Sequence, residues 1–229
     1  MSRPINFFAP SEWYHCYSRG IDKRIVFESV SDYQRFISLL YLTNTTTTLH
    51  RSNLENLKYD ELFTVPRKEP LVDIGAYALM PNHFHLLLYE KSAGSISRFM
   101  QKLGTAYTMY FNIKCERSGG LFTKPFRARH VSDDHYFQYV VDYIHLNPLK
   151  LFEPKQKEQK EGKGLSRRRL DNRLVAKLET YPFSSLPDFN RILRPNRAII
   201  GKEIFEIYQK KTTKQMLENA LAYKETFPD

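Results

Sequence analysis

The stretch Met80-Pro81-Asn82-His83-Phe84-His85-Leu86-Leu87-Leu88 places two histidines one residue apart in a predicted buried strand. Successive side chains of a strand point to opposite faces, so His83 and His85 share one face while Phe84 points to the other. Neutral imidazole nitrogens bind several divalent metals. The pair therefore indicates a partial metal site that a third ligand must complete, and the alternative is that both histidines simply pack in or beside the core.

The residues before this stretch predict a β-hairpin. Residues 71–80 form an apolar strand pattern, and Pro81-Asn82 is a turn of two residues. With a loop of this length, Ala76, Ala78 and Met80 lie on the histidine side of the hairpin. Two alanines there would leave space for a metal and a phosphate group.

The order of the other elements predicts the fold. We expect a first strand at 12–18 and a helix at 32–42 capped by Ser31. After the hairpin we expect a second helix capped by Ser95 and a strand within 121–131 at the sheet edge. A third helix follows, capped by Ser132 or Asp133 and stopped by Pro148. This order is a split βαβ pattern with one appended helix. The sequence thus predicts an α+β, ferredoxin-like fold with a central antiparallel sheet. Its first and third strands would lie at the centre of the sheet.

Two segments lie outside this pattern. Residues 44–70 are expected to form a long, mobile insertion with a short helix around 54–63. Residues 155–173 carry eight Lys or Arg against three acidic residues and read as a basic arm. Two helices are expected at 199–208 and 214–222. We therefore expect a catalytic domain at 1–152, including the insertion, and a basic arm with a helical C-terminal extension at 153–229.

Composition limits the classes of function. The 229-residue chain carries a formal net charge of +10 with 15 Tyr and 16 Phe, which suits a surface that meets phosphates and stacks bases. The two cysteines favour neither a disulfide framework nor a thiolate zinc site. No apolar run approaches the roughly 18 residues of a membrane span, and no signal peptide is apparent at the N-terminus. A cytoplasmic protein without a membrane partner is expected.

The predicted third helix offers a further ligand and a nucleophile. Its core stripe contains Phe137, Val140, Val141 and Ile144. Beside that stripe, Tyr143 and Asn147 lie one helical turn apart. A metal held by His83, His85 and Asn147 would sit near the Tyr143 hydroxyl and could polarise a phosphoryl oxygen. The alternative is that Tyr143 is an amphipathic residue at the helix edge and Asn147 a C-terminal cap.

Four motifs in a consistent order carry a family resemblance: Met80-Pro81-Asn82-His83-Phe84-His85, Leu121-Phe122-Thr123-Lys124-Pro125-Phe126-Arg127, Tyr143-Ile144-His145-Leu146-Asn147-Pro148 and Tyr181-Pro182-Phe183-Ser184-Ser185. Over about residues 14–185 the chain resembles the REP-associated tyrosine transposases, which belong to the HUH single-tyrosine transposases of bacterial insertion sequences. It departs from their pattern at Leu149-Lys150-Leu151-Phe152, where relatives usually have a Lys-His-Gly-like turn.

The resemblance implies a function and roles for the residues. His83 and His85 match the metal ligands, Tyr143 the single nucleophile, and Asn147 the polar helix residue that completes metal binding. A ferredoxin-like catalytic domain, a Mg²⁺ or Mn²⁺ cofactor, and cleavage and rejoining of single-stranded DNA beside a hairpin are implied, with a monomer or homodimer expected. Arg19, Lys124, Arg127 and Arg129 are candidate DNA-phosphate contacts, or else ordinary solvated charges.

Two other functions stay open from the sequence. The first is a domesticated, non-catalytic protein that binds DNA or RNA hairpins. The second is a hydrolytic metallo-phosphoesterase in which Tyr143 is structural and His15, His135 or His145 completes a zinc site.

Overall fold

The computed structural model describes residues 8–47, 54, 56–152 and 172–226. Within it, four strands form one antiparallel sheet in the order β2-β3-β1-β4. The strands are β1 (Trp13–Arg19), β2 (Val72–Met80), β3 (His83–Glu90) and β4 (Arg127–His130), and the helices between them are α1 (Val30–Leu42) and α2 (Ser95–Lys114). The chain order β1-α1-β2-β3-α2-β4 confirms the predicted ferredoxin-like α+β fold, with β1 and β3 at the sheet centre and β4 at an edge.

The register of the central strands sorts the side chains onto two faces. Tyr17 lies opposite His85 and Arg19 opposite His83, and directly opposed residues of antiparallel strands share a face. We call this side of the sheet the histidine face. The other face is covered by α1 and α2; there the rings of Phe36 and Phe84 lie 5.0 Å apart and both are buried. The sheet thus has one apolar face for the core and one polar face.

The predicted hairpin is confirmed, including its two-residue loop. Met80 lies opposite His83 and Ala78 opposite His85, so both share the histidine face as expected. A bulge at Gly75 shifts the register further along β2. A Cβ atom at Gly75 would lie 2.8 Å from the Trp13 ring, so only glycine allows this close approach.

Helix α1 begins two residues earlier than predicted, and its cap is Ser29 rather than Ser31. Asp32, three residues after Ser29, completes a capping box. The Asp32 carboxylate also accepts hydrogen bonds from the Tyr110 hydroxyl (2.9 Å) and the Lys114 amine (2.8 Å) of α2. These contacts favour Ser29 over Ser31 as the N-cap, because they hold Asp32 buried between the two helices.

The insertion at 44–70 is docked where the structure describes it, so the prediction of a mobile segment is wrong for that part. It contains a 3-10 helix (Asp60–Thr64) in place of the predicted helix at 54–63. Phe63 is buried with its ring 5.9 Å from Tyr41, and the Arg67 guanidinium lies 3.9 Å from the centre of the Tyr41 ring. Residues 48–53 and 55 lie outside the described part of the chain.

Helix α3 (Asp134–Leu146) lies across the histidine face. Asp133 is its N-cap and accepts a hydrogen bond from the Tyr136 amide (2.8 Å), and its predicted core stripe is buried. The predicted helix at 214–222 is confirmed, whereas 199–208 holds only one helical turn. The remaining helices are α4 (Leu149–Phe152), α5 (Asn172–Glu179), α6 (Leu186–Phe189), α7 (Ile204–Ile207) and α8 (Thr213–Thr226).

The proposed basic arm at 155–173 falls almost wholly outside the described residues, which resume at 172. The division of the chain at residue 152 stays a prediction. Residues beyond 172 pack against the four-stranded sheet, since Ser184 pairs with Ala78 on β2. No helix in the part of the chain that the structure describes combines the length and apolar character that crossing a membrane requires.

Glu90 joins the histidine-bearing strand to helix α2. Its side chain is fully buried, and the carboxylate accepts hydrogen bonds from the amides of Gly94 (2.6 Å) and Ile96 (2.6 Å) and from the Ser95 hydroxyl (2.9 Å). The N-cap of α2 is therefore Gly94 and not Ser95. A buried anion at a helix N-terminus satisfies free amides and interacts favourably with the helix dipole.

We predict that Glu90→Ala lowers the free energy of unfolding by about 3 kcal/mol, because it leaves several buried donors without an acceptor. Urea denaturation would measure the loss. Glu12→Ala is the matched control: its half-exposed carboxylate lies 3.1 Å from His130, and its removal should cost about 0.5 kcal/mol or less. Equal losses for the two variants would contradict the role given to Glu90.

Candidate active site on the histidine face

Helix α3 brings Tyr143 to the histidines. The half-buried Tyr143 ring has its centre 5.6 Å from the His85 ring and 5.7 Å from the His15 ring, both in edge-to-face arrangements. The structure therefore places the predicted nucleophile beside the predicted metal ligands, which lie about 60 residues earlier in the chain.

Asn147 links the same helix to His83. It is the C-terminal cap residue of α3, it is buried, and its side chain lies near enough to His83 to raise the pKa of that imidazole. The Nδ1 atom of His83 lies 2.6 Å from the side-chain oxygen of Asn82, so the turn residue orients the ring. All four predicted site residues, His83, His85, Tyr143 and Asn147, thus lie together on one face.

His15, one of the three histidines named for a zinc site, lies beside His85. Its Nε2 atom is 2.8 Å from Nδ1 of His85, and the two rings stack with their centres 5.0 Å apart. One imidazole donates this hydrogen bond and the other accepts it. The Nδ1 atoms of both His83 and His85 are therefore engaged, which leaves each Nε2 as the nitrogen that could bind a metal. Only the register of β1 against β3 reveals this contact.

The environment keeps the three imidazoles neutral. Burial lowers the pKa of His83 to about 4, with the nearby Arg19 adding to the effect and the Asn147 side chain opposing it. Burial and the charge of Arg129 lower the pKa of His15 to about 4. The pKa of His85 is well below 6.5, again mainly through burial. Neutral imidazole is the form that offers a lone pair to a metal ion.

Three of the four candidate phosphate contacts lie around this site. Arg19, Arg127 and Arg129 are on the histidine face by register and are exposed. Lys124 is not there: it lines a largely apolar cavity of about 600 Å³ on the side covered by α2, together with Phe84. Lys150 was missed as a site residue. It is exposed, and its charge lowers the pKa of both His83 and His85.

Of the three histidines named for a zinc site, His15 lies beside the pair, whereas His145 and His135 do not. His145 is fully buried with its Nε2 atom 2.8 Å from the Ser185 hydroxyl, and two residues along a helix from Tyr143 it lies on a different side. His135 is exposed in the first turn of α3, far along the helix from Tyr143. Among residues 8–47, 54, 56–152 and 172–226, no three His, Cys, Asp or Glu side chains converge to hold a metal ion.

Comparison with known proteins agrees with the geometry. Residues 39–147, slightly less than half of the chain, match the model of the family described as IS200-like transposases. This range includes both histidines of the pair, Tyr143 and Asn147. A search of curated proteins found no match.

A solved structure extends the likeness to nearly the whole chain. It is a REP-associated tyrosine transposase bound to a REP hairpin, with 13% sequence identity, 93% of each chain covered and a TM-score of 0.50. At this identity the likeness shows the fold. Residues 39–147 thus resemble the IS200-like transposases, and the fold of the chain is like that of a REP-associated tyrosine transposase, as the motifs predicted.

Proposed function

We propose that this protein cleaves and rejoins single-stranded DNA beside a hairpin, through a covalent intermediate on Tyr143 and with Mg²⁺ or Mn²⁺ as cofactor. The observation that carries the proposal is the position of the Tyr143 ring, whose centre lies 5.6 Å from that of the His85 ring, on the helix that ends at Asn147. A transposase that acts on cellular DNA would work in the bacterial cytoplasm.

The residues present fit a divalent metal. His83 and His85 are neutral and each has one ring nitrogen engaged by a neighbour, and Asn147 can supply an amide oxygen. Nitrogen and oxygen donors together suit Mn²⁺, and Mg²⁺ would rely more on oxygen and water. When bound, the ion would polarise a phosphoryl oxygen of the DNA. Three uncharged ligands would leave its full charge available for that purpose.

In the proposed reaction the Tyr143 oxygen attacks the scissile phosphorus. The tyrosine–phosphorus bond forms as the bond from phosphorus to the 3′-oxygen breaks. Tyr143 loses its proton and the departing 3′-oxygen gains one, so the DNA leaves with a free 3′-hydroxyl while the protein holds the 5′-phosphate. The phosphotyrosine ester conserves the bond energy until another 3′-hydroxyl attacks it and restores the DNA strand.

The charge of the histidine face supports DNA as the substrate. Arg19, Arg127 and Arg129 surround the site, and the chain carries a net charge of +10. Phosphate contacts of this kind position a strand without reading its sequence. The solved relative carries a REP hairpin, which makes a DNA hairpin the first substrate to try. A non-catalytic hairpin-binding protein could use the same arginines but would not need the Tyr143 hydroxyl.

We predict that His85→Ala weakens Mn²⁺ binding at least about 100-fold, because one imidazole alone holds the ion poorly against water. Titration calorimetry on the full chain would measure this. His130→Ala is the matched control, since His130 is exposed at the edge strand and pairs with Glu12, and its affinity should equal that of the wild type. Equal Mn²⁺ affinity of His85→Ala and wild type would show that the pair does not hold the metal.

We predict that wild-type protein incubated with Mn²⁺ and a hairpin-bearing single strand becomes linked to DNA, and that Tyr143→Phe forms no adduct. The phenylalanine ring would still pack, so DNA affinity should stay within about twofold of the wild type. Denaturing gel electrophoresis would quantify the covalent adduct. Tyr139→Phe is the matched control: its ring centre lies 6.0 Å from that of Tyr143 on the same helix, and this variant should react normally.

Three results would contradict the proposed chemistry. Cleavage without adduct by both wild type and Tyr143→Phe would make water the nucleophile. If peptide mapping located the adduct on Tyr139, then Tyr139 and not Tyr143 would be the nucleophile. Tight hairpin binding without any cleavage by the wild type would favour the non-catalytic protein.

A further inference from the structure

The motif Tyr181-Pro182-Phe183-Ser184-Ser185 has no part in the proposed chemistry, yet both of its serines are fully buried. Its backbone runs along β2, the edge strand next to the histidine strand. The Leu79 amide donates to the Phe183 carbonyl (2.9 Å), and the Ser185 amide donates to the Tyr77 carbonyl (2.9 Å). The motif therefore extends the sheet beyond β2.

The Ser185 hydroxyl connects this edge to helix α3. Its oxygen accepts a hydrogen bond from the Tyr77 amide (2.9 Å) and lies 2.8 Å from Nε2 of His145. The Tyr77 carbonyl is 3.3 Å from the same oxygen and can accept its proton. His145, two residues after Tyr143, can then donate to Ser185. One buried hydroxyl thus joins the β2 backbone to the helix that carries the nucleophile.

A second buried contact holds the other side of Tyr143. Asp142, the residue before it, is fully buried, and its carboxylate accepts hydrogen bonds from the Tyr208 hydroxyl (2.5 Å) and the Lys211 amine (2.9 Å). Tyr208 follows α7 and Lys211 precedes α8. The C-terminal extension therefore contacts α3 through hydrogen bonds at positions 142 and 145, which flank Tyr143.

We infer that Ser185 and Tyr208 are positioning residues, and that the C-terminal extension fixes the rotation of α3 so that Tyr143 and Asn147 stay aligned with the histidines. Bonds at residues 142 and 145 restrain the helix on sides that differ from the one bearing Tyr143. A misplacement of about 1 Å at a reacting group can cost about 100-fold in rate. The catalytic consequence rests on the proposed function, whereas the restraint of α3 does not.

The test compares Ser185→Ala and Tyr208→Phe with Tyr181→Phe in the full chain. Tyr181→Phe is a matched control because it also removes a buried hydroxyl. That hydroxyl donates to the Leu79 carbonyl of β2 (2.9 Å) rather than to α3. Hydrogen exchange of the α3 amides in the free protein would measure the restraint. Single-turnover adduct formation at saturating hairpin DNA with Mn²⁺ would measure alignment, and DNA affinity would be measured separately.

In both positioning variants the amide hydrogens of α3 should exchange faster than in the wild type. Both variants should form the adduct at least tenfold more slowly, with DNA affinity within about twofold of wild type. Tyr181→Phe should change neither α3 exchange nor the rate by more than about twofold. Should Ser185→Ala fail to fold, Tyr208→Phe carries the comparison, because it removes a single hydroxyl. Unchanged α3 exchange, or a rate equal to that of the control, would overturn the inference. If wild-type protein forms no adduct, the proposed function fails, and α3 exchange alone then decides whether the extension restrains the helix.

Discussion

The antiparallel pairing of β1 with β3 is the constraint on which the site depends. Because these strands lie at the sheet centre, their register decides which polar side chains meet on the histidine face. It sets His15 within 2.8 Å of His85 and Arg19 opposite His83. A slip of one residue would turn the histidines into the apolar core between the sheet and its helices. The buried rings on that side oppose such a slip.

Burial and the neighbouring positive charges both lower the pKa of the imidazoles. Both the loss of water and the neighbouring cations disfavour protonation, so the histidines offer lone pairs rather than positive charge. The exposed arginines place positive charge near the surface of the same face. The site therefore has neutral candidate metal ligands at its centre and cationic side chains around them. This arrangement suits a metal ion that binds a phosphate group. Helix α3 adds Tyr143 to it, and the C-terminal extension holds that helix.

The sequence predicted the features that depend on local patterns. Strand alternation and the Pro81-Asn82 turn predicted the hairpin, and helical spacing put Tyr143 and Asn147 on one side of α3. The misses depend on distant contacts. The sequence predicted Ser31 as the cap of α1, but contacts from α2 to Asp32 favour Ser29 as the cap. Similarly, Lys124 was grouped with Arg127 and Arg129 as a candidate phosphate contact, but β4 begins only at Arg127 and Lys124 lies on the side covered by α2.

Anomalous diffraction from crystals of the full chain with Mn²⁺ and a hairpin-bearing single strand tests the central claim most directly. If the metal and the nucleophile meet on the histidine face, the manganese peak will lie beside the free ring nitrogens of His83 and His85 and the Asn147 side chain. The Tyr143 hydroxyl will then face the scissile phosphorus. A manganese peak away from the histidine pair, or a phosphate approached by water with Tyr143 turned away, would contradict the claim.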